Sequence, residues 1–137
     1  MNNVVRNILA LVIGALIGGI VNMALILLSP MVVPLPEGVD PMNAQSLADN
    51  IHRFTAANFI MPFLAHALGT LAGAFIAVKI AATHKEKFAY AIGLLFLAGG
   101  IMNAFSIPAP TWFIALDLIV AYIPMAWIAV TFGKKKP

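Results

Sequence analysis

From Ile8 to Leu28 the chain carries no charged side chain and a single amide, Asn22. A helix on the surface of a soluble domain needs a polar face, and this run has none. It matches instead the roughly 20 consecutive apolar residues with which a helix crosses a bilayer. Three later stretches share the property, so the sequence predicts spans over about 4–28, 55–82, 88–107 and 112–132. Pro108 and Pro110 separate the last two spans, and so short a turn makes them antiparallel neighbours. Hydrophobic residues make up 62% of the chain and charged residues 9%, against about 25% in soluble proteins, which leaves too little polar surface to coat a globule. The expected fold is all-α, an integral membrane four-helix bundle forming one domain over residues 1–137.

The charges orient the bundle. Arg6, then Lys79, Lys85 and Lys87, then Lys134, Lys135 and Lys136 all fall on one side of four spans. Arg53 falls on the other side with Glu37, Asp40 and Asp49. By the positive-inside rule both termini and the middle loop are cytoplasmic, and Trp112 and Trp127 anchor opposite ends of the fourth span. The expected location is the inner (cell) membrane of a bacterium, multi-pass. The first apolar stretch is too long for a signal peptide and should be retained. A net charge of +3 spread over short connections and a tail reads as topology and does not suggest nucleic acid. With no cysteine, disulfides, iron–sulfur clusters and the common structural zinc sites are excluded.

The external segment, residues 29–54, is the one sizeable piece outside the spans. Pro30, Pro34 and Pro36 should hold its first half extended. Asp40-Pro41 resembles a helix start, and Met42, Leu47, Ile51 and Phe54 recur at near-helical spacing. A short amphipathic helix is therefore expected over about 41–53, lying on the membrane surface in preference to forming a lid.

Gly18-Gly19-Ile20-Val21-Asn22 recurs as Gly99-Gly100-Ile101-Met102-Asn103, with Arg6 and Lys87 at equal distances before them. Ala74-Phe75-Ile76-Ala77-Val78 likewise resembles Ala126-Trp127-Ile128-Ala129-Val130. These matches suggest a parallel duplication of one helical hairpin, unlike the inverted repeats of many transporters. Within the spans, Ala10, Gly14, Gly18 and Asn22 form a stripe of small residues, as do Gly69, Gly73 and Ala77. Such spacing lets helix backbones approach closely in lipid.

Few polar groups lie inside the spans, and they supply the site candidates: Asn22, His66, Asn103, Asp117 and Tyr122. His66 sits about 20 Å along a helix from Lys79, near mid-membrane, where an ionisable side chain is costly and a functional role is the default hypothesis. Aligning the second and fourth spans sets Asp117 against Ala65, beside His66, so a His66–Asp117 pair is geometrically reasonable. Asn22 and Asn103 read first as hydrogen-bonding glue between helices and second as part of a ligand site. Pro124 should kink the fourth span near Tyr122 and free a carbonyl at Val120.

No catalytic or cofactor motif is present: there is no phosphate-binding glycine loop and no HExxH, and His52, His66 and His84 lie at three depths. The chain is not expected to be an enzyme or to hold a cofactor. Four spans and little else is also the layout of small multidrug-resistance carriers, which the chain resembles in that respect alone. Their membrane-embedded glutamate has no counterpart in its first span. The favoured expectation is a structural or accessory membrane protein, as a homo-oligomer or a subunit of a larger complex. The alternative is a small carrier or ligand-binding protein with its site in the external half. Because the chain lacks cysteine, topology can be tested directly with single-cysteine variants. An impermeant maleimide should label Gln45→Cys in intact cells and leave Lys85→Cys unlabelled until the cells are opened; the reverse pattern would invert the orientation.

Overall fold

The computed structural model describes residues 1–135, and among them helices are the only regular structure, with no strand. Lys136, counted above with the tail, lies outside the described residues. The helices are α1 (Asn3–Val32), α2 (Ala44–Asn50), α3 (Ile60–Ile80), α4 (Lys85–Ser106), α5 (Thr111–Val120) and α6 (Ile123–Gly133), with 3-10 turns at Ile51–Arg53 and Ala56–Phe59. Four helical segments, Asn3–Val32, Ala56–Ile80, Lys85–Ser106 and Thr111–Gly133, are long and apolar enough to cross a membrane. α3 is the central one, packing on α1, α4 and α6, while α1 is the least buried.

The closest helix approach is α1 on α3, and glycine makes it. A methyl group at Gly73 would sit 2.6 Å from the carbonyl oxygen of Gly14, and one at Gly18 would sit 2.7 Å from that of Gly69. Two bare backbones therefore touch over two turns, with Ala10 and Ala77 fully buried beyond them. In an apolar solvent, association depends on such packing because burial of apolar surface drives nothing there. The two Gly-Gly-Ile-x-Asn segments pack differently. Gly18 is the contact in the first, whereas in the second Gly99 faces open space and Gly100 meets the Tyr122 ring.

One end of the molecule is tied by polar contacts. The Arg6 guanidinium donates to the carbonyl of Ile80 at 3.0 and 3.1 Å, satisfying an acceptor at the end of α3. Asn7 accepts from the Ala82 amide at 2.9 Å and donates to the Thr83 hydroxyl at 2.8 Å. Lys134 pairs with Glu86, so the end of α6 lies beside the start of α4.

Two local expectations change, and a third, the kink at Pro124, takes the form of a break. The helix does not stop at Pro30 but runs to Val32. Proline leaves the carbonyl four residues earlier without its donor, and here the Ser29 hydroxyl donates to that carbonyl, Ile26, at 2.8 Å. The expected helix over 41–53 is shorter, Ala44–Asn50, because Asp40 accepts from the Met42 amide in a turn and Asn43 caps the helix by accepting from Ser46. The fourth span is broken at Ala121–Tyr122 into α5 and α6, where Pro124 supplies no amide hydrogen to the carbonyl of Val120.

Gly73→Leu should destabilise the protein by about 1–3 kcal/mol through overpacking against the α1 backbone. Gly19→Ala, which faces open space, should be neutral. Denaturant titration in detergent by helical circular dichroism reads both, and equal midpoints for Gly73→Leu and wild type would show that the seam is not close-packed.

Candidate functional site

The α1–α3 seam ends at Asn22, whose Cβ is 3.0 Å from where a Gly69 side chain would begin. Beyond this point lies a cavity of about 290 Å³. Asn22, His66, Asn103 and Asp117, from four different helices, all line it. Tyr122 does not, but it holds one of the residues that do. The far wall is the segment between α1 and α3, contributing Met42, Leu47, Ile51 and Phe54. These are the apolar positions the sequence assigns to a surface helix; they line the cavity, while Asn43, Gln45 and Asp49 are exposed. Polar ties hold this roof: Arg53 donates to the Glu37 carbonyl at 3.0 Å and to Asn50 at 2.9 Å, and Asn58 donates to the Pro34 carbonyl at 3.0 Å.

The polar centre is a three-residue chain. His66 Nδ1 lies 2.8 Å from Asp117 Oδ1, and the Tyr122 hydroxyl donates to Asp117 Oδ2 at 3.0 Å. An ionised carboxylate can only accept, so with Asp117 charged and His66 neutral the hydrogen sits on Nδ1 and Nε2 presents a lone pair. The Tyr122 ring stacks on the imidazole at 5.9 Å between centroids and 25° between planes. The break between α5 and α6 makes this possible. It takes Tyr122 out of helical geometry, with φ −118° and ψ −77°, five residues from the carboxylate it holds. The side chain of His66 is 16% exposed and that of Asp117 7%.

His66 Nε2 and the side-chain amides of Asn22 and Asn103 have no hydrogen-bond partner among the described residues. No buried polar side-chain atom is left unpaired; Asn22 and His66 are partly buried and Asn103 is exposed, so these groups face open space rather than dry core. The glue role expected of the two asparagines would have bonded them across helices. Ser29 and Asn58 also line the cavity, a role the sequence does not suggest. Their only signal is being polar residues near span ends, which is common at interfaces. Among the described residues no three His, Asp or Glu side chains gather closely enough to hold a metal ion.

The cavity is an apolar pocket with a few convergent polar groups at one end, the usual composition of a small-molecule site. No family model, curated protein or solved structure matches the chain.

If Tyr122 holds the carboxylate, Tyr122→Phe should cost about 1.5–3 kcal/mol, the range for hydrogen bonds to charged groups. The same denaturant titration measures it, and a variant as stable as wild type would remove the hydroxyl from the network.

Proposed function

We propose that the protein is a small carrier or ligand-binding membrane protein that takes an amphipathic molecule into this cavity. Four spans form a bundle with both termini cytoplasmic, as the distribution of Lys and Arg supports. On that orientation the cavity belongs to the external half, and the roof over it is the external segment.

One observation carries the reading over the accessory role that the sequence favours. Residues from four helices, far apart in sequence, bring their polar groups to one cavity, and the Asn22 amide and an imidazole nitrogen on partly buried residues stay unbonded there, as does the amide of the exposed Asn103. Polar groups in an apolar region are costly unless satisfied, so a site that presents them free is better explained by a ligand than by packing. The apolar walls and roof suit a hydrocarbon body, and the polar end suits its head group.

A second reading keeps one specific support. Along the whole of α1 only Ala10, Gly14, Gly18 and Ser29 are buried, so most of its apolar surface is free for lipid or a protein partner. Multi-angle light scattering in detergent separates these, since a dimeric or higher mass favours the partner.

Trp112 offers a direct test of binding. It packs edge-on against Phe59 and Phe113 at 5.6 and 6.0 Å, and both of those rings line the cavity. With Trp127→Phe as background, 8-bromooctanol should quench Trp112 saturably. Filling the polar end with Asn22→Phe and Asn103→Phe should leave only the shallow, unsaturated quenching of partition into the micelle. Saturation that survives the filled variant would place the probe elsewhere.

A further inference from the structure

We infer that the head group this cavity accepts is a primary ammonium. The inference rests on the binding reading above and adds the charge and donor pattern of the ligand.

His66 and Asp117 are the only ionisable side chains lining the cavity among the described residues. α1 brings Asn22 and Ser29, α4 brings Gly100 and Asn103, and neither helix supplies a charge. The roof carries Glu37, Asp40, Asp49, His52 and Arg53, none of which lines the cavity, and Arg53 is engaged by the Glu37 carbonyl and Asn50. The partner of Asp117 on its second oxygen is the neutral hydroxyl of Tyr122.

A carboxylate held among apolar walls needs a counter-charge, and an unpaired one is strongly disfavoured. An ammonium head supplies it. With the Nδ1–H of His66 on Asp117, the Nε2 lone pair accepts one ammonium N–H, while the carbonyl oxygens of the Asn22 and Asn103 amides are available to the others. An anionic head would meet the Asp117 carboxylate with no Lys or Arg to offset it. A neutral alcohol gains the amides but brings no charge.

Calorimetry of the protein in detergent against octylammonium, octanol and octanoate separates the cases, because the three share one tail. Protein-free micelles supply the partition background. Octylammonium should bind about tenfold more tightly than octanol, and octanoate more weakly than either. Asp117→Asn should reduce octylammonium to the affinity of octanol, whereas Tyr122→Phe, which keeps the carboxylate, should retain the preference. Should Asp117→Asn not fold, His66→Gln replaces it: with the carboxylate kept, the preference for octylammonium should persist, and its loss there would overturn the assignment. Equal affinity for octanol, or tightest binding of octanoate, overturns the ammonium assignment and leaves the binding site standing. No binding of any of the three overturns both.

Discussion

The bare-backbone contact between α1 and α3 is the constraint on which the rest of the arrangement depends. For a chain this apolar, expelling water cannot hold helices together, so contact distance must. Gly14 against Gly73 and Gly18 against Gly69 bring the two backbones to carbonyl contact. α3 can then serve as the common wall for α4 and α6 as well. The last close contact of the seam is Gly69 against Asn22, which also lines the cavity, so the cavity begins where the seam ends.

The second structural device is the interruption of the fourth span. A continuous helix would project Asp117 and Tyr122, five positions apart, in different directions. The break at Ala121–Tyr122 lets the tyrosine turn back so that its hydroxyl reaches the carboxylate and its ring covers the imidazole. Gly100 on α4 is required by the same arrangement, because a side chain there would collide with the Tyr122 ring. Pro124, Tyr122, Gly100, Asp117 and His66 act as one unit that fixes which imidazole nitrogen faces the cavity.

The roof is a different kind of element. Its helix is seven residues long, too short to be stable alone, and it is held by an Asx turn, an asparagine cap and the contacts of Arg53 and Asn58. Few of its residues are buried, whereas α3 is buried along much of its length. A rigid half and a lightly tethered cover are the parts that a site admitting a ligand from one end would need.

Hydrophobic runs and the spacing of small residues are local properties, so four apolar helices and the small-residue stripes of α1 and α3 were legible in the residues alone. So was the short list of polar groups inside them, because each is conspicuous in an apolar span. What those groups do was decided by tertiary structure. Which helix face meets which depends on the packing of all four segments at once, and no local pattern encodes it. Asn22 and Asn103 could as well have bonded each other. Met42, Leu47, Ile51 and Phe54 would show the same periodicity on a membrane surface as over a cavity. Pro30 reads as a helix stop until Ser29 is seen to satisfy the carbonyl that the proline leaves free. The amphipathic pattern and the polar inventory belong to the sequence; the cavity they enclose exists only once the glycine seam has set the distances between helices.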